Sequence, residues 1–251
     1  MKSHHKVAIG VPNDGTIDTQ LMNDVLNIAT HRRDQFGGFV SVYGTGLLAR
    51  SRNLLVNTFL TETTADWLLM MDSDESISIE AFDKLCAAAH DKERPVISAL
   101  VFAVFSDGFE DAVVVPTIYR TDEHGEHHAI IDYPKDTLIK VGATGTGALL
   151  IHRSVFVKFQ QNATENQGTE WCWFVDGPIK FNGAVRWFGE DLLFCRRLAV
   201  LGIPLHAHTG AILFHHKKSW LGPKQHAQYL AANSISSTAE VSPGVSGTAA
   251  S

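Results

Sequence analysis

The clearest pattern in the chain is a run of five apolar residues, Trp67–Met71, that ends directly before the acids Asp72, Asp74 and Glu75. A run this short, unbroken by any polar residue, is typical of a strand that is buried on both faces of a sheet. Carboxylates released together at the end of such a strand repel one another unless a positive group lies between them. The pattern therefore predicts a functional site at the end of a buried strand.

Around this run, strand-like apolar segments alternate with segments whose apolar residues recur at helical spacing. We predict strands over residues 6–11, 38–43 and 67–71, and helices over residues 17–31, 47–60 and 79–90. Thr16 or Asp18 suits the N-cap of the first helix, and Ser78 suits that of the third. This alternation predicts an α/β fold with a mainly parallel sheet and helices on both faces.

The rest of the chain contains shorter and less regular segments. We predict strands over residues 96–105, 113–119, 203–207 and 211–214, a glycine-rich strand region over 138–152, and helices over 154–160 and 192–201. Residues 106–111, 121–128 and 161–170 are predicted loops, and the histidines within 121–128 fit a solvated hairpin tip better than a metal site. We expect one domain over residues 1–222, a short helical extension over 223–232 and a disordered Ser/Thr/Ala-rich tail over 233–251.

Composition limits the classes of partner. The chain of 251 residues has a formal net charge of −6, and no run of Lys or Arg exceeds two residues, which argues against nucleic acid or an anionic membrane. The three cysteines show no disulfide or zinc spacing, in agreement with a reducing cytoplasm. The sequence shows no signal-peptide pattern and no apolar run long enough to span a membrane, so we expect a cytoplasmic protein.

The acids after the central strand are suited to binding a metal ion. In an α/β sheet, ligands bind beyond the carboxyl ends of the parallel strands, where Asp72-Ser73-Asp74 is expected. Two carboxylates separated by one residue supply oxygen ligands to Mg²⁺ or Mn²⁺ and leave coordination positions for phosphate oxygens. Because Ser78 already serves as the cap of the next helix, a purely capping role for these acids is the weaker interpretation.

Other polar residues stand near predicted strand or helix ends. The turn Pro12-Asn13-Asp14 follows the first strand and suits a nucleotide-sized ligand. Arg52, in the first turns of the second helix, either faces solvent or meets a phosphate or the central acids. Glu190 and Asp191 open the last helix, where they either complement the helix N-terminus or act chemically. His215 ends the last strand and is either a core histidine or a metal ligand.

Taken in order, these segments resemble the GT-A glycosyltransferases, and most closely the inverting enzymes of family 2 in the form often carried by bacteriophages. The likeness covers about residues 6–216 and rests on the strand with Asp72-Ser73-Asp74, then Gly145-Thr146-Gly147, Gly189-Glu190-Asp191, Phe194-Cys195-Arg196-Arg197, Gly202-Ile203-Pro204-Leu205 and a closing histidine. It implies a Rossmann-like GT-A fold in a single domain. The nucleotide-sugar would bind mainly to residues 1–105, and the acceptor and catalytic groups would belong to residues 106–222.

On the donor side, the resemblance implies that Asp72 and Asp74 hold Mn²⁺ or Mg²⁺ and the nucleotide diphosphate, with Asp74 the more direct metal ligand and Ser73 between them. His215 matches the late histidine that completes the metal shell in some members. A shift of register would give this role to one of two other histidines, His208 and His216.

On the acceptor side, the resemblance implies that Asp191 is the base that removes the proton of the acceptor hydroxyl, with Glu190 as its neighbour. Pro12, Asn13 and Asp14 match the first loop, which contacts the nucleoside. The implied reaction is inverting transfer of a sugar from a nucleotide-sugar to a hydroxyl of a glycan or a protein Ser/Thr. UDP is only the default donor, because residues 43–46 replace the acidic motif that many members carry after the second strand.

Two alternatives share the sheet and the acids. A sugar-phosphate nucleotidyltransferase needs a glycine-rich first loop with Arg or Lys, whereas residues 11–15 contain no basic residue. A non-catalytic glycan-binding or virion-associated module would keep the fold without turnover. The tryptophans of the second half suit either a sugar-stacking wall or ordinary packing: Trp171, Trp173, Trp187 and Trp220.

Overall fold

The computed structural model describes residues 5–44, 46–105, 113–165, 172–181 and 183–216. The chain divides into two compact units, Met1–His216 and Lys217–Ser251, and every described residue belongs to the first. Several predictions lie outside the described residues: the loop over 106–111, Trp171, Trp220, the extension over 223–232 and the tail over 233–251.

The first half of the chain alternates between strands and helices, as its apolar pattern predicts. Its elements are β1 (Val7–Asn13), α1 (Thr19–His31), β2 (Phe36–Tyr43), α2 (Leu48–Glu62), β3 (Trp67–Met71), β4 (Glu75–Ile77), α3 (Ile79–Ala88) and β5 (Val96–Leu100). Asp18 caps α1 by accepting a hydrogen bond from the Gln20 amide at 2.8 Å. Ser78 caps α3 in the same way through the Ala81 amide at 3.1 Å.

In the part of the second half that the structure describes, the chain forms mostly short strands and two helices. Its elements are β6 (Phe102–Phe105), β7 (Val113–Pro116), β8 (Ile118–Thr121), β9 (His127–Ala129), β10 (Leu138–Lys140), β11 (Ala143–Thr144), β12 (Ala148–His152), α4 (Arg153–Glu165), β13 (Gly177–Phe181), β14 (Ala184–Phe188), α5 (Glu190–Val200) and β15 (Leu205–His215).

The central sheet has the strand order β10-β15-β5-β12-β3-β1-β2, and β4 pairs with the end of β15. β1 is parallel to β2 and β3, and β15 is parallel to β5. β12 is antiparallel to both β3 and β5, and β10 is antiparallel to β15. Along this path β2, β1, β3, β5 and β15 therefore share one direction, so the predicted mainly parallel sheet is confirmed. Their carboxyl ends meet at one edge.

Helices cover both faces of this sheet. One apolar cluster joins α2, α4 and α5 to the sheet and includes Phe59 and Leu68. The other joins α1 and α3 to the opposite face and includes Phe82 and Leu69. Successive residues of β3 thus enter different clusters, which is why every residue of this strand is apolar and buried. In the described part of the chain, none of the helices combines the length and the apolar character needed to cross a lipid bilayer.

Some predicted boundaries are wrong because strands change partners within one apolar run. The run over residues 96–105 is divided between β5, which lies in the central sheet, and β6, which pairs only with β7 among the described strands. The run over 113–119 is likewise divided between β7 and β8. Conversely, the runs over 203–207 and 211–214 form one strand, β15. Thr209, which interrupts them, is buried and donates its hydroxyl to the Pro134 carbonyl at 2.6 Å.

The β13–β14 hairpin and parts of two helices were not predicted. The sequence signal for the hairpin is Asn182-Gly183 between two short alternating segments, and Gly183 has φ of +81°. Helix α4 extends five residues beyond the predicted end, to Glu165, and α5 begins two residues earlier than predicted, at Glu190.

Candidate active site

The predicted site residues belong to or follow three strands and two helices, and most lie at the carboxyl edge of the sheet. Asn13 ends β1, Asp72 and Asp74 follow β3, and His215 ends β15. Gly147 lies at the same edge, because it precedes the antiparallel β12 and its carbonyl accepts the Asp72 amide at 2.9 Å. The parallel order of the sheet thus brings together segments that are far apart in the sequence.

Arg52 joins two of these segments. It lies in the first turns of α2, its side chain is only 2% exposed, and its Nη2 lies 3.0 Å from Asp72 Oδ1. On its other side, Nε donates to Glu190 Oε1 at 3.2 Å. Burial alone would lower the pKa of Arg52, but the two carboxylates more than offset this and raise the pKa above its ordinary value. Arg52 is therefore a buried cation held between both acidic motifs.

The guanidinium also retains an unused donor. Arg52 Nη1 is buried and has no hydrogen-bond partner among the described residues. A buried donor without a partner is costly, so such atoms indicate a place where a ligand or water completes the hydrogen bonding. Of the two interpretations of Arg52 that the sequence allowed, contact with the central acids is the one found in the structure, and the solvent-exposed alternative is wrong.

Glu75 is the most deeply buried acid of the site, with 1% of its surface exposed. Its Oε2 accepts a hydrogen bond from the Asp72 amide at 3.3 Å. Burial, and then the neighbouring charge of Asp72, raise the pKa of Glu75 well above its ordinary value. Its Oε1 lies beside Gly147, where a Cβ atom would be only 2.3 Å away. No role for Glu75 was predicted, because charge alone does not reveal which of three neighbouring acids turns inward.

Asp74 lies beside the last strand. His215 Nε2 is 3.3 Å from Asp74 Oδ1, and the other ring nitrogen of His215 lies 3.2 Å from the Phe102 carbonyl. The adjacent His216 donates its backbone amide to the Asp74 carbonyl at 2.7 Å, while its ring pairs with Asp18 at 2.6 Å. His208 lies seven residues earlier in β15, about 20 Å away along an extended strand.

These donors fit a divalent cation in part. A carboxylate and an imidazole in contact are suitable ligands for Mn²⁺. Within the described ranges, however, no group of three His, Cys, Asp or Glu side chains is close enough to hold a metal ion. Asp72, the third predicted ligand, faces Arg52 instead. The complete metal set therefore stays a prediction, with Asp74 and His215 as its two adjacent members.

Glu190 and Asp191 form the first turn of α5, after Gly189 as N-cap residue. Asp191 Oδ1 accepts the Leu192 amide at 2.7 Å. Burial raises the pKa of Asp191, and the neighbouring Glu190 charge raises it further, although the Leu192 hydrogen bond and Arg52 act in the opposite direction. Both acids thus complement the helix N-terminus, as one interpretation expected. They also belong to the site, because Arg52 joins Glu190 to Asp72.

The first loop is held in place at the same edge. Asn13 Nδ2 donates to Ser41 Oγ at 2.8 Å and to the Val42 carbonyl at 3.1 Å, so it fixes the end of β1 to the end of β2. Pro12 and Asn13 belong to β1, so the predicted turn begins two residues too early. Pro12 is buried, and Asp14 accepts the hydroxyl of Thr16 at 2.9 Å. The loop is thereby preorganised.

Ser73 connects the acids to α1. Its carbonyl accepts the Asp18 amide at 2.8 Å. Asp24, a buried acid further along α1, accepts the Ile77 amide at 2.9 Å and the Ser76 hydroxyl at 2.7 Å. The segment that carries Asp72-Ser73-Asp74 is thus anchored to α1 on both sides of Asp74.

Asn53 contributes a buried link that the sequence did not indicate. Its Oδ1 accepts the amides of Trp173 and Phe174, both at 2.8 Å, and its Nδ2 donates to the Phe174 carbonyl at 2.7 Å. Trp173 is itself buried, with its indole nitrogen bonded to the Phe156 carbonyl, so it packs in the core and does not form a sugar-stacking wall. Trp187, in contrast, is 70% exposed.

The comparisons with known proteins identify the fold. No protein-family model matches the chain, and no curated protein matches its sequence. Among solved structures, A197 from STIV has a TM-score of 0.50 and 16% identity, covering 88% of this chain and 99% of that one. GalNAc-T7, crystallised with UDP, GalNAc and Mn²⁺, has a TM-score of 0.54 and 10% identity; the match covers 87% of this chain but only 45% of that one. The predicted GT-A-like fold is thereby confirmed.

Proposed function

We propose that this protein is a metal-dependent glycosyltransferase that transfers a sugar from a nucleotide-sugar, UDP-sugar by default, to a hydroxyl acceptor with inversion. The observation that carries the proposal is the buried Arg52, which contacts Asp72 on one side and Glu190 on the other. These two acids belong to the motifs that the resemblance assigns to the donor and to the acceptor. The contact of Arg52 with both acids lies at the carboxyl edge of a GT-A-like sheet, where ligands bind in such sheets.

On the donor side, Asp74 and His215 would hold Mn²⁺ or Mg²⁺, with Asp72 as a further ligand. The metal would supply neutralisation of the charge that develops on the leaving diphosphate. Arg52 Nη1 is buried and has no hydrogen-bond partner among the described residues. This unused donor favours a second contact to the diphosphate, from Arg52 to one of its oxygens. The first loop, Pro12-Asn13-Asp14, would contact the nucleoside. The bound UDP, GalNAc and Mn²⁺ of GalNAc-T7 agree with this class of ligand.

On the acceptor side, Asp191 would take the proton of the attacking hydroxyl. A general base needs a pKa near the working pH, and the raised pKa of Asp191 moves it in that direction. The Leu192 amide fixes one oxygen of this carboxylate, which leaves the other for the acceptor. Direct attack on the anomeric carbon from the side opposite the diphosphate gives inversion. Glu190 would keep Arg52 in place between the two halves of the reaction.

A thermal-shift screen of nucleotide-sugars with and without Mn²⁺ tests the donor class. Ligand at a hundred times its Kd stabilises the folded protein by about 2.7 kcal/mol. For a domain of this size, that corresponds to a rise in Tm of about 5–10 °C. The nucleotide-sugars that shift the Tm are then assayed for release of nucleoside diphosphate.

The products separate the alternatives. A glycosyltransferase releases nucleoside diphosphate, whereas a sugar-phosphate nucleotidyltransferase releases inorganic diphosphate from a nucleoside triphosphate. Glycan binding without any nucleotide-sugar binding would favour a non-catalytic module. The proposal fails if no nucleotide-sugar with Mn²⁺ or Mg²⁺ raises the Tm and none is hydrolysed or transferred.

A further inference from the structure

The turn that carries Asp72-Ser73-Asp74 is closed by a pair of hydrogen bonds between its first and last residues. The Asp72 amide donates to Glu75 Oε2 at 3.3 Å, and the Glu75 amide donates to the Asp72 carbonyl, also at 3.3 Å. Glu75 therefore holds both ends of a four-residue turn. Ser73 and Asp74 lie inside this turn, so their position depends on it.

The same residue fixes the turn relative to the last strand. Glu75 begins β4, and in the antiparallel pairing of β4 with β15 it lies opposite His215. This pairing agrees with the 3.3 Å contact between Asp74 and the His215 ring. The side chain of Glu75 orders the turn, and its backbone aligns the turn with the histidine.

The carboxyl group of Glu75 occupies space that only glycine leaves at position 147. A Cβ atom on Gly147 would lie 2.3 Å from Glu75 Oε1 and 3.2 Å from Asp72 Oδ2. Real Cβ atoms do not approach oxygen so closely, so alanine at this position would displace Glu75. The Gly147 carbonyl also accepts the Asp72 amide at 2.9 Å. Gly147 thus supports the turn through both its backbone and its missing side chain.

A purely structural role does not account well for this arrangement. Glu75 is 1% exposed, and its Oε1 has no hydrogen-bond partner among the described residues. Burying a carboxyl group with an unsatisfied oxygen is costly, and an apolar side chain of similar volume would avoid that cost. The cost of burying the Glu75 carboxyl group is therefore better explained by a role in ordering the turn over residues 72–75.

We infer that Glu75 is a positioning residue, whose buried carboxyl group, seated against Gly147, fixes the turn that presents Asp72 and Asp74 to the nucleotide-sugar diphosphate. This inference rests on the proposed function, because it names a residue for that reaction. In this role Glu75 acts through the two acids of the turn. Loss of its hydrogen bond should weaken donor binding without unfolding the protein.

The experiment compares Glu75→Met with Glu75→Gln in the full chain, by calorimetric titration of UDP in the presence of Mn²⁺. Methionine matches the length of glutamate but cannot accept the Asp72 amide, whereas glutamine can. We expect Glu75→Met to keep the wild-type Tm or exceed it and to lose at least tenfold in affinity. Glu75→Gln should bind UDP at least fivefold more tightly than Glu75→Met, since it restores the acceptor. Glu80→Met, which removes an exposed carboxylate, is the matched control and should bind UDP like the wild type.

Gly147→Ala supplies an independent perturbation of the same contact. Alone it should weaken UDP binding at least tenfold, because the new Cβ displaces the Glu75 carboxyl group. Glu75→Ala removes the oxygen that would clash with the new Cβ. The double variant should therefore lose less UDP affinity than the product of the two single fold-losses. A folded Glu75→Met or Gly147→Ala protein that binds UDP like the wild type would overturn the inference alone. Wild-type protein that binds no nucleotide or nucleotide-sugar with Mn²⁺ would overturn the proposed function and the inference with it.

Discussion

Replacing Arg52 by methionine should be among the most destabilising single changes at the site. The substitution keeps an unbranched side chain in the apolar surroundings of α2 but leaves Asp72 and Glu190 without their cation. Removing one member of a buried ion pair costs about 3–5 kcal/mol. Here the two carboxylate side chains are 27% and 15% exposed and regain some hydration, so we expect about 2–4 kcal/mol.

Arg32 provides a matched control at the surface. It forms two hydrogen bonds with Asp83, at 2.7 and 2.6 Å, but the side chains are 35% and 38% exposed. Exposed pairs contribute less than about 1 kcal/mol, so Arg32→Met should cost at most that amount. Because Arg52 is buried between two carboxylates and Arg32 pairs with one exposed carboxylate, the difference between the two variants reports the combined effect of burial and of the second carboxylate.

Urea unfolding followed by circular dichroism measures both free energies of unfolding. At about 2–4 °C per kcal/mol, the Arg52→Met protein should also melt roughly 10 °C below the wild type. Adding Glu190→Gln to Arg52→Met should recover part of the loss, because one of the two unpaired charges is removed. If Arg52→Met and Arg32→Met lose equal stability, Arg52 does not act as a buried bridge and the reasoning is refuted.

Four further predictions concern the site. Asp74→Ala should abolish the Mn²⁺-dependent part of nucleotide-sugar binding, measured by calorimetry, and a variant with unchanged metal dependence would remove Asp74 from the metal set. Asp191→Asn should bind donor like the wild type but transfer sugar at least a hundredfold more slowly, in line with the loss of a general base; retained transfer would exclude Asp191 as the base. Asp191 can accept a proton only above its raised pKa, so the rate of transfer should fall as the pH drops through that pKa. Glu190→Gln removes a negative neighbour, so it should lower the pKa of Asp191 and move the fall in rate to lower pH. Asn53→Ala should cost about 2–4 kcal/mol in unfolding free energy, since it removes the Asn53 side chain from the amides of Trp173 and Phe174 and leaves the Phe174 carbonyl only its weak Cys172 thiol donor; a loss below 1 kcal/mol would show that these groups find other partners.

The sequence predicts best where periodicity and burial agree. The bounds of β3 follow from five apolar residues between polar ones, because a strand covered on both faces leaves no position for a polar side chain. The caps Asp18 and Ser78 were identifiable because capping is a local hydrogen bond. The run over 96–105 was assigned as one strand because an apolar run carries no information on where its backbone partners change.

The residues of the candidate site likewise differ in how far a local sequence pattern reveals them. Asp72, Asp74, Glu190 and Asp191 were recognisable because each stands in a short motif at the end of an element. Arg52 was ambiguous, since an arginine in the first turns of a helix is compatible with solvent and with a buried ion pair. The choice depends on a residue 138 positions away, which no local pattern reveals. The contact between Glu75 and Gly147 was missed for the same reason, because their complementarity exists only after folding.

The long separation of these contacts has a consequence for biosynthesis. Arg52 reaches Glu190 over 138 residues, and Asn53 reaches Phe174 over 121. At about 5–20 residues per second, the ribosome completes Glu190 about 7–28 s after Arg52. During that interval β1, β2 and β3 can pair with one another, while Arg52 and Asn53 still lack their later partners. The contact of Arg52 with Asp72 can therefore form early, whereas its contact with Glu190 forms only after α5 is synthesised, and chains that terminate before α5 lack that half of the candidate site.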